Sequence, residues 1–467
     1  MIHQYKNNGY NIVIDVNSGS IHSVDEVAYD IIHMVDIKEE NIHEKIKAKY
    51  PQVTDEDIDE TLGDIEYLKE NGQLFTEDIF KPIAKKLKRK QSVLKAICLH
   101  VAHACNMDCG YCFAGKGEYN GERAIMSLET GKKAMDFLVE NSKDRKNLEV
   151  DFFGGEPLLN WDVCKELVKY GRELEKTHDK NFRFTLTTNG LLVDDDVIDF
   201  CNKEMCNVVL SLDGMKKTHD NMRKTQDGKG TYDLIIDKFK KFADKRGQKD
   251  YYVRGTYTGY NKNFADDLIA VADLGFKELS MEPVVCKPEE PYALKEEDLP
   301  QLKENYEKLA VEMLKRYRNG NGFNFYHYTI DLTGGPCIAK RISGCGVGTE
   351  YVAITPGEKI YPCHQFVGDD DFLMGTLDTG ITNEHVIDQF ENCNIYSHEE
   401  CGDCFAKLYC SGGCAANAYH TTGSVNGVYD FSCELHKKRI ECAIMMKVAL
   451  MEDQEKAAEM AENESEK

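Results

Sequence analysis

Near the start of the chain Ile12, Ile14 and Val16 alternate with polar neighbours, and the turn Asn17-Ser18-Gly19 leads to a second short run near Ile21. A period of two predicts paired strands. A helix is expected after Ser23 or Asp25. Another opens on the capping pair Thr54 and Asp57, which puts Ile58, Leu62, Ile65 and Leu68 on one face before Gly72 ends it. Strands followed by helices predict a small winged-helix-like α+β module over residues 1–80. The basic run Lys81 to Lys90 breaks the pattern and reads as part of a linker, residues 81–94, with a solvated face.

From residue 95 the period changes repeatedly. Short apolar runs at Ala96–His100, Glu149–Phe153, Arg183–Thr187, Val208–Ser211, Tyr252–Thr256 and Glu278–Met281 alternate with helical patterns. Those helical patterns are Thr130–Ser142, Trp161–His178, Val193–Lys203, Thr231–Arg246, Phe264–Leu274 and Glu297–Arg318. Six βα units predict an α/β fold, a partial (β/α)6 TIM-type barrel over 95–320, with its chemistry on the loops after the strands. Beyond Arg318 the periodicity fades into a Cys- and Gly-rich segment, Cys337 to Cys433. This C-terminal extension, 321–450, is expected to depend on metal more than on apolar burial. Residues 451–467 read as a frayed acidic helix.

Composition narrows the picture. At 467 residues, 42% hydrophobic and 30% charged, the chain is a multidomain globular protein. A net charge of −23 argues against nucleic acid or anionic lipid as the main partner. No signal-like start and no membrane-length apolar run is visible, so a cytoplasmic protein is expected. Eighteen cysteines in a reducing compartment point to metal ligation rather than disulfides.

Cys105, Cys109 and Cys112 lie on one loop directly after the first barrel strand, with an aromatic, Tyr111, before the last. A closed structural site would want four protein ligands, so three suit an iron-sulfur cube with one iron left open. The other reading is a zinc site completed by His100, His103 or a distant Cys.

The CxxxCxxC spacing in this position resembles the radical S-adenosylmethionine (SAM) superfamily. The resemblance implies a [4Fe-4S] cluster whose open iron binds SAM and cleaves it to a 5′-deoxyadenosyl radical. Gly154-Gly155-Glu156-Pro157 resembles the family's GGEP motif, implying close backbone approach to the methionine end and a carboxylate, Glu156, for the SAM amino group. Thr188 and Asn189 would then lie near the ribose. Ser211 and Arg223 are candidates for the SAM carboxylate, with a surface ion pair to Asp220 as the other reading of Arg223. Arg254 is a cofactor contact or a structural cation.

Cys401-x2-Cys404-x5-Cys410-x3-Cys414, followed by Cys433, is too regular and too dense for an apolar core. With Cys337, Cys345 and Cys363 upstream it resembles the SPASM extension, which implies two auxiliary [4Fe-4S] clusters and three clusters in all. By that resemblance Cys401, Cys404, Cys410 and Cys433 hold one. Cys414, Cys345 and Cys363 hold the other, with Cys337 either a fourth ligand or absent, leaving an open iron. Paired zinc ribbons share the CxxC spacing. Cys98, Cys164, Cys201, Cys206, Cys286, Cys393 and Cys442 have no ligand-like spacing and are assigned to core or surface.

Sulfatase-maturing members of the SPASM group carry an Asp after the Tyr-Pro-Cys cysteine. Here that position is His364, a candidate catalytic base or a structural residue. Residues 1–80 hold six Lys, no Arg and eighteen Asp plus Glu, which suits a peptide better than phosphate. The module resembles the leader-binding domain of ribosomal-peptide maturases, with a strand edge for the peptide. The whole chain is similar to SCIFF (six cysteines in forty-five residues) peptide maturases. That similarity implies thioether bonds from Cys sulfur to an α-carbon in a precursor peptide with a leader and a Cys-rich core. It also implies an electron donor such as flavodoxin or ferredoxin. Formylglycine formation is the alternative within the group, and a non-catalytic zinc-stabilised peptide-binding scaffold the alternative outside it.

Overall fold

The computed structural model describes residues 1–84, 93–119, 121, 123–332 and 341–465. Most of the basic run, and Cys337, lie outside the described residues.

The first module is a three-stranded antiparallel sheet, β1 (Ile2–Asn7), β2 (Tyr10–Asp15) and β3 (Ile21–Val24), followed by α1 (Glu26–Asp36), α2 (Ile42–Lys49) and α3 (Asp55–Glu70). One strand more is present than the alternation predicts, because β1 is rich in polar residues. Its signal is the turn: Asn8 and Gly9 both have left-handed φ, 50° and 87°, as a tight two-residue hairpin requires. Asp25 caps α1 by accepting from the Ala28 N–H, and Thr54 and Asp57 form the expected capping box on α3. Val13, Ile31, Ile32, Ile46, Ile58, Ile65 and Leu74 make a separate small core. A short helix, α4 (Lys81–Ala84), follows.

The central sheet begins with β4 (Ala96–His103), a two-residue β5 (Ala124–Ile125), α5 (Leu128–Asn141), β6 (Asn147–Gly154), α6 (Trp161–Thr177), β7 (Asn181–Thr188) and α7 (Asp195–Glu204). It continues through β8 (Met205–Ser211), α8 (Lys216–Met222), α9 (Tyr232–Lys245), β9 (Tyr251–Tyr257), α10 (Phe264–Asp273), β10 (Glu278–Pro283) and α11 (Leu299–Arg318). The six long strands are parallel neighbours in the order β4-β6-β7-β8-β9-β10, and β11 (Asn324–Phe325) ends that side. All six predicted βα units are present.

Strands β6 to β9 bury every second residue under the helices. The residues between, among them Asp151, Phe153, Thr185, Ser211, Arg254 and Thr256, are half-buried or exposed. A parallel sheet covered on both faces would read as continuous apolar strands. The alternation therefore marks an inner face that is polar and open.

The extension departs from expectation. It builds β12 (Tyr351–Ile354), β13 (Lys359–Tyr361), β14 (Gly375–Thr376) and β15 (Gly380–Ile381), and β12 pairs in parallel with β4, from Tyr351 opposite Ala96 to Ile354 opposite Leu99. The sheet thus runs on through the extension. Val352, Ile354, Ile360, Phe366, Phe372, Met374 and Phe390 are buried in the same core as the barrel. Apolar burial, not metal alone, holds this part. Helices α12 (Glu384–Glu391), α13 (Lys407–Cys410) and α14 (Ala415–Thr422) lead to α15 (Asp430–Ser465). This last helix is continuous through residues 450 and 451, so the acidic tail is its distal end.

α15 lies against the first module. His3 stacks on Phe405 with ring centres 3.6 Å apart, His3 Nε2 is 3.0 Å from Glu441, and the Tyr5 hydroxyl donates to the Glu441 carbonyl. One face of the small sheet, which also carries Ile12, Ile14 and Ser23, is therefore covered. Among the described residues β3, an edge of the sheet, has no strand partner beyond β2.

Candidate functional site

Loops from the C-terminal ends of β4, β6, β7 and β8 meet around Cys105, Cys109 and Cys112. The loop after β4 is strapped by residues 222–226. Gly110 N–H donates to the Met222 carbonyl, Asp108 N–H to the Lys224 carbonyl, each at 2.8 Å, and the Gln226 side chain to the Cys105 carbonyl at 2.7 Å. Asn189 Nδ2 donates to Asn106 Oδ1 at 2.8 Å and reaches Cys105 Sγ at 3.6 Å.

Gly154 and Gly155 admit close approach, but to the chain itself. A Cβ on Gly154 would sit 2.3 Å from the Ala102 carbonyl oxygen, and one on Gly155 2.2 Å from that of Ala104. Both glycines press the end of β6 onto the lead-in to the cysteines. Glu156 is buried, and its carboxylate accepts from Leu158 N–H, Thr188 Oγ1 and Asn189 N–H at 2.8 to 3.0 Å. The carboxylate joins the ends of β6 and β7, and the Glu156 N–H donates to the Ala104 carbonyl after β4 at 2.9 Å. Burial, only partly offset by these donors, pushes its carboxyl up to about 7.

Asp213, two residues after Ser211, has no role assigned to it from the sequence. It is 1% exposed, accepts from the Tyr111 hydroxyl and the Thr256 N–H, and forms an ion pair with Arg223 at 3.1 Å. The Arg223 partner is thus Asp213 and not Asp220, whose carboxylate caps the Tyr232 N–H. Arg223 lies over the Tyr111 ring, 5.5 Å from its centre. His219 accepts from Asp213 N–H at Nδ1, so its Nε2–H donates to Thr231 Oγ1, which donates to the Arg223 carbonyl. The cue was a buried acid beside an Arg on one motif. Ser211 stands half-buried on the inner face.

His100 and His103 face each other, Nδ1 to Nε2 at 3.1 Å, and both pack on Tyr119. Their bond is to one another rather than to the cysteine loop. Burial holds His103 down at about 4.

Residues 99–275 match the sequence profile of the Radical SAM superfamily. This span covers the strapped loop and every strand end described above. Residues 99–275 are a radical SAM domain. The chain is 21% identical over 452 residues to the radical SAM cyclopropyl synthase TigE of Paramaledivibacter caminithermalis, covering 90% of this chain and 89% of that one. It is 27% identical over 337 residues to a cysteine-type anaerobic sulfatase-maturating enzyme of Clostridium perfringens, covering 66% and 85%. Among solved structures, native anSMEcpe with bound AdoMet and Kp18Cys peptide superposes with a TM-score of 0.61 at 20% identity, covering 77% of this chain and 99% of that one.

The chemistry of the radical SAM loop fits the cluster its family implies. Burial pushes the Cys105 thiol up to about 11 and the Cys109 thiol up to about 12, the latter opposed by the charge of Arg223. Thiols raised in this way need a cationic partner to become thiolates, and an iron-sulfur core would supply one.

In the extension the described candidate-ligand cysteines fall into two further sets. In the first, Cys401, Cys404, Cys410 and Cys433 line a common cavity of about 60 Å³, which Cys414 also lines. In the second, burial raises the Cys363 thiol, with the charges of Cys414 and Cys345 adding to the effect. Among the described residues no three His, Cys, Asp or Glu side chains close on a single ion position; the first set rings a cavity instead. His364 places its ring 5.0 Å from Phe153 and 5.7 Å from Phe113, at the inner face beside the radical SAM loop, where burial and Arg254 hold it down at about 4. Arg254 is exposed on that face. Of the seven unassigned cysteines, Cys98, Cys164, Cys201 and Cys442 are buried and Cys206, Cys286 and Cys393 half-buried. Among the described residues no helix is long and apolar enough to cross a membrane.

Proposed function

We propose that this radical SAM protein matures a ribosomally made Cys-rich peptide by forming thioether bonds between Cys sulfur and an acceptor α-carbon. The observation that carries the reading is the position of the extension. Pairing of β12 with β4 sets His364, next to Cys363, against Phe113 and Phe153, so a chain reaching the radical site would also pass Cys363.

Cys105, Cys109 and Cys112 would hold the cluster that, with SAM, would supply a carbon radical able to take one hydrogen atom from the acceptor. The protein's residues do the placing. Asp213, Tyr111 and Arg223 fix the cysteine loop, while Glu156, Thr188 and Asn189 hold the neighbouring loops and present the SAM subsite with Gly154, Gly155 and Ser211. His364, neutral at neutral pH, takes the thiol proton. Auxiliary clusters, which the two further cysteine sets would hold, would supply the acceptor for the electron left once the sulfur has bonded to the α-carbon. In this scheme residues 1–80 seize the leader along the uncovered edge of β3, and 321–450 carries those clusters.

The test is anaerobic incubation with SAM, a reductant such as reduced flavodoxin, and a Cys-rich peptide encoded beside the gene, followed by tandem mass spectrometry. Loss of two hydrogens per cross-link, mapped to a Cys and an acceptor residue, is the expected result. SAM cleavage without a change of peptide mass removes the thioether reading. Conversion of a sulfatase-motif Cys to an aldehyde replaces it with formylglycine formation, the alternative reading; the Clostridium relative is named a sulfatase-maturating enzyme.

A further inference from the structure

The cavity ringed by Cys401, Cys404, Cys410 and Cys433 is also lined by His436, one turn beyond Cys433 on α15. Its Nδ1 lies 2.9 Å from Arg439 Nη2. A guanidinium has only donors, so Nδ1 accepts, and the neutral imidazole must carry its proton on Nε2. That nitrogen is buried without a hydrogen-bond partner. A buried N–H left unpaired costs about 1–3 kcal/mol, so such a group implies a missing acceptor.

The tautomer is held from behind. Arg439, 9% exposed, donates through Nη1 to Glu282 at the end of β10 at 3.1 Å, and Glu282 is 3.3 Å from His327. Despite burial, His327, Arg439 and Arg254 hold the Glu282 carboxyl at about 2, so it is a fixed anion anchoring the guanidinium. The lysines lining the cavity have partners already, Lys407 with Asp78 at 2.8 Å and Lys437 with Glu434 at 2.9 Å. The cavity shared with His436 is rich in sulfur acceptors, with the oxygens of Asn417 and Ser432 also on its lining.

We propose that His436 Nε2–H donates a hydrogen bond to a sulfur of the cluster held by Cys401, Cys404, Cys410 and Cys433, and that this bond raises the cluster's reduction potential. The inference rests on the auxiliary-cluster reading above. Reduction adds negative charge to the sulfurs, so an aimed donor favours the reduced state. Through Arg439 and Glu282 the same bond ties the cluster to the end of a barrel strand.

The experiment uses the full chain with Cys105, Cys109 and Cys112 changed to Ala, so that only auxiliary clusters contribute, and follows the reduced signals by potentiometric EPR. A Cys433→Ala variant identifies the signal of the ring. His436→Leu should lower that midpoint by about 59 mV, a tenfold fall in the reduced-to-oxidised ratio at fixed potential. His436→Gln, which retains an N–H donor, should recover at least half of the shift, and the other auxiliary signal should not move.

An unchanged midpoint in His436→Leu at full iron and sulfide content overturns the proposal. So do equal shifts in Leu and Gln variants, or loss of ring iron from both, which would make His436 a ligand or a prop. Absence of ring iron from the parent chain, seen before any His436 change, overturns the cluster reading itself.

Discussion

The radical SAM loop and the ring of Cys401, Cys404, Cys410 and Cys433 hold their cysteines by different means. The loop is fixed from outside, by main-chain bonds to residues 222–224, by Asn189, and by the Asp213 clamp on Tyr111. The ring is fixed mainly from within. Its main-chain bonds are short-range, such as Cys404 N–H to the Cys401 carbonyl and Cys410 N–H to that of Ala406, and Ser411, Gly412 and Gly413 are left-handed in succession. A loop built on a sheet is organised before its cluster arrives, whereas turns around a cavity draw order from their contents.

The largest effect separates the two outright. Changing Cys105, Cys109 and Cys112 to Ala should reduce SAM cleavage to background, measured as 5′-deoxyadenosine, with little change in Tm. Changing Cys401, Cys404, Cys410 and Cys433 should lower Tm by on the order of 10 °C, read by calorimetry under anaerobic conditions. Equal Tm losses would erase the distinction.

Asp213→Asn probes what holds the loop. The change leaves Arg223, whose side chain is 12% exposed, without its counter-charge. Breaking a buried pair on one side costs about 3–5 kcal/mol. Denaturant unfolding should show that loss, and iron retention at the radical SAM loop should fall while auxiliary iron stays. Tyr111→Phe removes only a neutral donor and should cost about 1 kcal/mol.

Much of this region was legible from residue types alone. Six βα units followed from the alternation of short apolar runs with helical stripes, and the Thr54 and Asp57 capping box from two side chains. β1 was missed because its inward residues pack on α15, more than four hundred positions away, and local periodicity carries no trace of that partner. The pairing of β12 with β4 was invisible for the same reason. Asp213 stands two residues from Ser211, yet its partners Tyr111 and Thr256 come from another loop and from β9, so only the fold reveals it as a hub.

Glu156 gives the loop side of the contrast a pH signature. Its folded carboxyl stands at about 7 against an ordinary value of 4.5. Between those values the folded state holds a proton that the unfolded chain releases, so stability of the ligand-free protein falls as pH rises from about 4.5 to about 7. The full loss is on the order of 3 kcal/mol. Glu156→Gln keeps the shape without the charge and should flatten that slope, so that the variant gains on the parent at pH 8. A slope unchanged in Glu156→Gln would assign it elsewhere, with the half-buried Asp151 next in line, held up at about 6.

The smallest expected effect tests whether the ring feels its neighbour module. His3 stacks on Phe405, directly after Cys404, and touches Glu441 on the helix that also carries Cys433. Stacked rings contribute about 0.5–1.5 kcal/mol beyond the area they bury. His3→Ala should therefore cost about 1 kcal/mol in unfolding free energy, with SAM cleavage in the absence of peptide unchanged, because no bond of the radical SAM loop passes through it. If the ring is ordered only by its contents, its EPR line shape will not respond to this change. A line that broadens in His3→Ala, with the radical SAM signal constant, would show that the small module supports the cavity from outside, and the difference between the two cysteine sites would then be one of degree.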